Sequence, residues 1–223
     1  DANRVAGISK LMTSVNPEII LLDDAFQHRK VQGSCTILLT KWDALFVADY
    51  VVPTGNLREG KYGAKRADII LVTKCPEDFP LQQQAIIKEK LSKFQKKIFF
   101  TSISYAKTII GAHEIQTSAL KDFNVLLITG IANPTPLLDY LSGLAVCFQH
   151  LKFGDHHHFS EKDIQSIQTR FNQIESPKMI LTTEKDYVRL VHFLTAVSYL
   201  PIETFFLNGE EQAFEAIVAK SLK

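Results

Sequence analysis

The sequence has few cysteines and no large excess of charge of either sign. Three cysteines, Cys35, Cys75 and Cys147, are scattered among 223 residues, and no CxxC pair occurs. This odd number argues against a disulfide framework and favours a reducing compartment. The 25 lysines and arginines nearly balance the 24 aspartates and glutamates, which leaves a net charge of +1. The balance argues against a polybasic protein that binds nucleic acid.

Long apolar runs, internal repeats and low-complexity tracts are also missing. The longest apolar stretches, such as Ile69–Val72 and Val125–Ile128, have the length of strands. A membrane span needs roughly 18 apolar residues. The first residues, DANRVAGISK, are neither a signal peptide nor an initiator methionine. We therefore expect a processed product or a fragment that is soluble on its own.

Short apolar runs alternate with amphipathic segments along the chain. The continuous apolar runs predict strands covered on both faces. These predicted strands are Ile19–Asp23, Thr36–Leu39, Ile69–Thr73, Ile98–Thr101, Val125–Thr129 and Met179–Thr182. The predicted helices are Arg4–Ser14, Leu81–Phe94, Pro136–Leu144, Glu161–Asn172 and Gln212–Leu222. This alternation predicts an α/β fold of mostly parallel sheets with helices on both faces.

One interruption of this rhythm divides the chain into two predicted lobes. Residues 105–124 combine β-branched and polar residues with one glycine and show no strong helical period, so we interpret them as a connection. We expect a first lobe over residues 1–110, which includes the start of the connection. A second α/β lobe is expected over residues 111–223.

The first candidate site is an apolar run that ends in two aspartates. A strand ending in Asp23 would place a carboxylate at the carboxyl edge of a parallel sheet, where Mg²⁺ and nucleotide phosphates lie in the Walker B arrangement. Asp24, Gln27 and His28 follow within five residues. So many polar groups beside one strand end are costly unless they bind something. The alternative is a simple turn, which aspartate favours.

A near match to the phosphate-binding loop GxxxxGK[ST] occurs at Gly55–Tyr62. Tyrosine stands in place of the hydroxyl that ligates Mg²⁺, and the segment follows the aspartates instead of opening the domain. We interpret this match as coincidental, and the sequence contains no other GxxxxGK and no GxGxxG. Arg58 and Glu59 could still project into a cleft, because a guanidinium matches phosphate geometry.

Two later segments combine carboxylates with histidine or lysine. Phe153–Phe159 contains three consecutive histidines without metal-ligand spacing. It is either a solvated loop before a helix capped by Ser160, or an Asp–His pair that orients an imidazole. Thr182–Tyr187 follows a strand, and helix capping by Thr183 with Asp186 is the favoured interpretation.

Taken in order, these segments resemble the tetraacyldisaccharide 4′-kinases of lipid A synthesis. The matching stretches, which span nearly the whole chain, are Arg4–Ile8, Asp23–His28, Pro53–Glu59, Arg66–Thr73, Thr129–Pro134, Phe153–His157 and Thr183–Asp186. The DD-x-F-Q-H stretch followed by G-x-LRE is the most specific part. The resemblance implies the remainder of a P-loop kinase core and a second Rossmann-like α/β lobe, joined by a β linker, with the active site in the cleft.

The resemblance also implies an activity and a place in the cell. The family transfers the γ-phosphate of ATP, with Mg²⁺, to the 4′-hydroxyl of a tetraacylated glucosamine disaccharide 1-phosphate. The implied partners are this acylated lipid and the inner-membrane surface, and no nucleic acid. The implied location is peripheral, on the cytoplasmic face of the bacterial inner membrane, reached through segments that this chain does not contain.

Carried over by position, the resemblance assigns four residues to the nucleotide and metal. Asp23 and Asp24 would lie at the Mg²⁺ and nucleotide site. Gln27 and His28 would support that site or contact the nucleotide.

Three further residues would serve catalysis. Arg58 and Glu59 would reach the phosphates or the metal. His156, from the second lobe, would come next to the catalytic aspartate and tune it.

The chain also departs from the family pattern. The phosphate loop, the acidic segment that supplies the base paired with the histidine, and the N-terminal membrane helix are all absent from these 223 residues. Ala25 stands where Gly is usual, and Asn56 and Gly60 stand where Pro is usual. We therefore expect an incomplete kinase that binds ATP weakly and is inactive alone.

Two other functions remain open. A catalytically dead, two-lobed binding module would explain the missing loop without truncation. A metal-dependent hydrolase would use Asp23, Asp24 and the run Asp155–His158, because two-metal hydrolases hold their ions with carboxylates and imidazoles.

Overall fold

The computed structural model describes residues 3–222, which fold as alternating helices and strands. The helices are α1 (Arg4–Ser14), α2 (Leu81–Leu91), α3 (Thr135–Gly143), α4 (Glu161–Gln173), α5 (Glu184–Leu190) and α6 (Glu211–Ser221). The strands are β1 (Ile37–Lys41), β2 (Ile69–Cys75), β3 (Lys97–Tyr105), β4 (Thr108–Gly111), β5 (Ile115–Gln116), β6 (Asn124–Thr129), β7 (Cys147–Lys152), β8 (Lys178–Thr183), β9 (Val197–Leu200) and β10 (Ile202–Phe206). The predicted α/β class is confirmed.

The chain divides into two compact units. Unit 1 comprises Asp1–Ile103 and Thr204–Lys223, and unit 2 comprises Ser104–Glu203. This division differs from the expected lobes, because the C-terminal residues were assigned to the second lobe and instead belong to unit 1. The apolar face of a terminal helix gives no sign of which sheet it will cover.

Unit 1 has a four-stranded sheet in the order β1-β2-β3-β10. Strands β1, β2 and β3 are parallel. The core packs around the fully buried Ile70, Val72, Leu91 and Phe100. The ring of Phe99 meets the rings of Phe206 and Phe214 edge-on, with centroids 6.1 Å and 5.6 Å apart. These aromatic contacts hold the last strand and helix to this sheet.

The predicted strand Ile19–Asp23 is wrong. Residues 19–23 form no strand, and Ile19 and Leu21 are exposed to 55% and 89%. A strand needs a hydrogen-bonded neighbour, and no part of the chain between residues 3 and 222 pairs with this run. Asp23 and Asp24 therefore lie in a turn and not at the end of a strand.

Unit 2 has a six-stranded sheet in the order β5-β4-β9-β8-β6-β7. Strands β6 to β9 are parallel, whereas β4 runs antiparallel to β9. From β6 the chain goes to β7 on one side and then returns to β8 on the other. The segment 105–124, expected as a connection, contains β4, β5 and a short 3₁₀ helix.

Both predicted helix caps in unit 2 are confirmed. The Ser160 hydroxyl accepts from the backbone N–H of Asp163, whose carboxylate accepts from the backbone N–H of Ser160. Thr183 likewise accepts from the backbone N–H of Asp186 at the start of α5. Across residues 3–222, every helix is too short or too polar to cross a bilayer.

Candidate functional site

The turn that carries the paired aspartates is connected to the Leu57-Arg58-Glu59 segment by an ion pair. Arg58 Nη1 lies 2.9 Å from Asp24 Oδ2. Both side chains are about two-thirds exposed, at 66% and 69%. Asp24 has φ +46°, a left-handed conformation that aspartate tolerates better than most residues. Two of the residues predicted for the site are therefore in contact, in a position open to a ligand.

Glu59 lies between two arginines. Its Oε1 is 2.6 Å from Arg66 Nη2, and its Oε2 is 3.0 Å from Arg29 Nη2. The hydrogen bond from Arg66, and after it that from Arg29, hold the pKa of the Glu59 carboxyl below its usual value. Only 19% of its side chain is exposed. Glu59 is thus a fixed anion that anchors two cationic side chains.

Arg66 also fastens the turn that follows the aspartates. Its Nη2 donates to the backbone carbonyl of Phe26 at 3.1 Å, and its guanidinium lies 4.7 Å from the centre of the Phe26 ring. A guanidinium over an aromatic face is attracted by the ring electrons. Glu59 is therefore linked, through Arg66, to the Asp24–His28 turn at Phe26.

Sequence reasoning assigned no role to Arg29 or Arg66. Arg66 belongs to one of the stretches that resemble the kinase family, which is the only signal that could have found it. Arg29 follows the aspartate turn with no motif of its own, and its pairing with Glu59 crosses 30 positions of sequence.

A small, open cavity of about 60 Å³ lies against these residues. Its lining is Phe26, Gln27, Leu38, Phe46, Leu57, Arg58, Glu59, Gly60, Lys61 and Ala64. The Lys61 ammonium donates to the backbone carbonyl of Val47 at 2.8 Å. The cavity combines apolar walls with cationic and carboxylate groups, a mixture typical of small-ligand sites.

The loop before Arg58 is closed by Asp49. The Asp49 carboxylate accepts from the backbone N–H groups of Tyr50 and Asn56 and from the Asn56 amide. The hydrogen bond from Tyr50 is the main reason that the Asp49 pKa is lowered. A Cβ at Gly55 would collide with Asp49 Oδ1 and the Tyr50 carbonyl, so only glycine fits there. Close packing thus explains why the G-x-LRE stretch has glycine at position 55.

The remaining residues predicted for unit 1 are less constrained. Asp23 and His28 are exposed in turns, and Gln27 is exposed while lining the cavity. Within residues 3–222, no three His, Cys, Asp or Glu side chains are close enough together to hold a metal ion.

His156, predicted for catalysis, lies in unit 2 in the loop after β7. Its φ is +57°, its backbone N–H donates to the Gly130 carbonyl at 3.2 Å, and its side chain is 71% exposed. Lys185 and Arg189 lie against its ring.

The neighbouring His157 has a different, structural setting. His157 Nε2 is 3.1 Å from the Asp163 carboxylate, and its ring packs against Phe153 and Phe159. Hydrogen bonds from Ser160 and then His157 lower the pKa of Asp163 to about 2. Within the run itself, Asp155 Oδ2 lies only 3.8 Å from His156 Nε2, whereas His157 pairs with the helix-capping Asp163 outside the run.

Comparison with known proteins points to one family. The family model described as tetraacyldisaccharide-1-P 4′-kinase matches residues 1–223. A tetraacyldisaccharide 4′-kinase of Flavobacterium johnsoniae is 44% identical over 100% of this chain and 65% of its own length. The protein of that name from Bacteroides thetaiotaomicron is 40% identical over 96% of this chain and 62% of its own length. The chain thus spans less than two thirds of these relatives.

One solved structure has the same fold. The LpxK protein of Aquifex aeolicus, crystallised with ATP, superposes with a TM-score of 0.71 over 99% of this chain and 62% of that chain. The two sequences are 24% identical, so this likeness supports the fold.

Proposed function

The chain belongs to the tetraacyldisaccharide-1-P 4′-kinase family, and we propose that it forms part of an enzyme that phosphorylates the 4′-hydroxyl of a tetraacyldisaccharide 1-phosphate with ATP. The observation that carries this proposal is the contact between Asp24 and Arg58 beside the cavity, fixed by the arginine-bound Glu59. Phosphoryl transfer depends on positioning and charge neutralisation, which carboxylates toward Mg²⁺ and a guanidinium toward phosphate supply.

Asp23 and Asp24 fit a magnesium ion that also contacts phosphates. Magnesium in kinases is held by one or two carboxylates together with water and phosphate oxygens, so a cage of protein ligands is not required. Both aspartates are exposed, and within residues 3–222 the ion pair of Asp24 is with the exposed Arg58. Bound there, Mg²⁺ would neutralise charge on the transferred phosphoryl group.

The other residues predicted for unit 1 would serve the same site. Arg58 would exchange its partner Asp24 for a phosphate oxygen, since a guanidinium binds either group through the same geometry. Gln27 and His28, on the same turn, would contact the nucleotide. Glu59 would act by holding that turn through Arg66 rather than by touching the phosphates.

We assign His156 to the same reaction, as a positioning group toward the catalytic aspartate that the resemblance implies. Its exposed imidazole is the property that suits this role. We propose the acylated disaccharide lipid as the partner, at the cytoplasmic face of the inner membrane.

The test is a transfer assay with labelled ATP, Mg²⁺ and tetraacyldisaccharide 1-phosphate. It compares residues 1–223 with the longest product of the same reading frame. We expect transfer from the longer product only, with loss of transfer when Mg²⁺ is chelated. If residues 1–223 alone turn over, the expectation that they are incomplete is wrong. If neither protein transfers phosphate, the kinase proposal fails and the chain is a binding module.

Variants of the longer product locate the site. Arg58→Met should lower the transfer rate by about a hundredfold, the usual effect of removing one group that stabilises charge in the transition state. Arg170→Met, in the last turn of α4 of unit 2, is the matched control and should leave the rate unchanged. Equal rates for the two variants would remove Arg58 from the site.

A further inference from the structure

Three side chains that donate hydrogen bonds converge on the surface of unit 2. Lys185 Nζ lies 3.3 Å from His156 Nε2, and Arg189 Nη2 lies 3.4 Å from His156 Nδ1. The imidazole is 71% exposed, and the Lys185 and Arg189 side chains are 38% and 27% exposed. The group is therefore accessible to a ligand from solution.

This group of three side chains has more hydrogen-bond donors than acceptors. Lysine and arginine side chains only donate, whereas a neutral imidazole has one acceptor nitrogen and one N–H. The ring of His156 can accept from Lys185 or from Arg189, and its other nitrogen then directs an N–H at a second donor. An anionic oxygen placed among the three groups would accept from all of them.

The carboxylate of Asp155 does not supply that oxygen for the whole group. Its Oδ1 pairs with Lys185 Nζ at 2.9 Å and also accepts from the backbone N–H of His156 at 3.0 Å. The hydrogen bond from Lys185 is the main cause of the lowered pKa of Asp155. The other oxygen, Oδ2, lies 3.8 Å from His156 Nε2, so this carboxylate approaches Lys185 and the imidazole but does not pair with Arg189.

Asp186 does not compensate Arg189 closely either. It is fully buried and accepts from the Gly130 N–H at 2.7 Å and the Thr183 hydroxyl at 2.8 Å. Arg189 Nη1 reaches its other oxygen at 3.5 Å, the outer limit of a hydrogen bond. Among residues 3–222, no carboxylate lies nearer to this guanidinium.

The group also lies where the fold favours ligand binding. Gly130 follows β6, His156 follows β7, and Lys185 follows β8. These are the carboxyl ends of three parallel strands, and the strand order reverses between the neighbours β6 and β8, because the chain continues from β6 to β7 on one side and from β8 to β9 on the other. In open α/β sheets the crevice outside the carboxyl ends at such a reversal is the usual ligand position.

We propose that Lys185, Arg189 and His156 bind a phosphate monoester. An ammonium and a planar guanidinium together provide the charge and the directional donors that such a group requires. The three side chains indicate that the ligand carries a phosphate group. Which molecule carries that phosphate rests on the proposed function. That source is either the sugar 1-phosphate of the disaccharide lipid or a phosphate of the nucleotide.

The test follows the ring nitrogens of His156 by NMR in the ¹⁵N-labelled chain. Inorganic phosphate is titrated first, then glucosamine 1-phosphate and ADP in separate arms. We expect a saturable shift with inorganic phosphate, and tighter binding in one arm, which identifies the source. Lys185→Met and Arg189→Met should each weaken binding roughly tenfold, the effect of losing one charge-assisted hydrogen bond. Lys162→Met, an exposed lysine on α4, is the matched control and should bind as the wild type does.

Two results would overturn this site: no saturable shift at millimolar phosphate, or unchanged affinity in both Lys185→Met and Arg189→Met. Because binding of inorganic phosphate needs no turnover, the result is independent of the kinase assay. If the chain binds phosphate but the longer product transfers none, the kinase proposal is refuted and the phosphate site stands. If the longer product transfers phosphate but no phosphate binds at Lys185, Arg189 and His156, this site is refuted and the kinase proposal stands.

Discussion

Replacing Glu59 by glutamine should destabilise unit 1 by about 2 kcal/mol. The amide of Glu59→Gln keeps one acceptor oxygen, so one of the two arginine contacts is lost together with the charge. The contact with Arg66 is 2.6 Å long, and the Arg66 and Glu59 side chains are 36% and 19% exposed. A hydrogen bond to a charged partner contributes about 1.5–3 kcal/mol, and solvent screening puts this contact at the lower end of that range. Arg29 is 69% exposed, and such pairs contribute about 0.2–1 kcal/mol.

Urea unfolding, monitored by tryptophan fluorescence, measures the loss of stability of unit 1. Trp42 is the single tryptophan of the sequence, and its ring packs 5.3 Å from that of Phe79 in the core of unit 1. Arg29→Met is the matched control, because it removes only the exposed contact and should cost less than about 1 kcal/mol.

The pH dependence gives a second, independent check. Because the arginines lower the pKa of Glu59, its ion pairs stabilise the fold above the ordinary glutamate pKa and are lost as the pH falls through the lowered value. The difference in unfolding free energy between wild type and Glu59→Gln should therefore be constant near neutral pH and shrink in acid. Equal stabilities at neutral pH, or a difference that persists after Glu59 is protonated, would refute this reasoning.

Three further predictions concern groups outside the Glu59 contacts. Asp186→Ala should lower the free energy of unfolding of unit 2 by about 2 kcal/mol or more, measured by urea unfolding followed by circular dichroism, because the buried Gly130 N–H and Thr183 hydroxyl both lose the one oxygen, Oδ2, that accepts from them; an unchanged unfolding curve would contradict this. The Asp163 carboxyl should titrate with a pKa of about 2 by NMR and rise toward its ordinary value in Ser160→Ala, so its contribution to stability is present above the ordinary aspartate pKa and lost as the pH falls through about 2. Burial raises the pKa of the Cys75 thiol to about 11, so the exposed Cys147 should react with iodoacetamide in the native protein while Cys75 stays protected; equal rates would show that unit 1 opens readily.

The local features of the fold were predictable from the sequence. The caps at Ser160 and Thr183 depend on side chains three residues apart, and the structure forms both. The strands β2, β6 and β8 follow their continuous apolar runs, because a strand buried on both faces has to be apolar along its length.

The features that sequence analysis missed or predicted wrongly share one cause. Each depends on a partner that is distant in the sequence. Residues 19–23 have the composition of a strand but no neighbour to pair with in residues 3–222. Strand β7 was missed because it lies at the edge of its sheet and carries polar residues such as Gln149 and Lys152. The contact of Glu59 with Arg29 was missed for the same reason, since nothing local in either segment indicates it.

Unit 2 is inserted within the chain of unit 1, and this has a consequence during translation. The ends of the insertion meet, because the Ala106 N–H donates to the Pro201 carbonyl at 3.0 Å. The inserted unit can therefore close as soon as residue 203 has left the ribosome. The surrounding unit has to wait for residues 204–222, which takes about one to four seconds at roughly 5–20 residues per second. During that interval the Phe99 side of the sheet lacks Phe206 and Phe214 and is available to a chaperone.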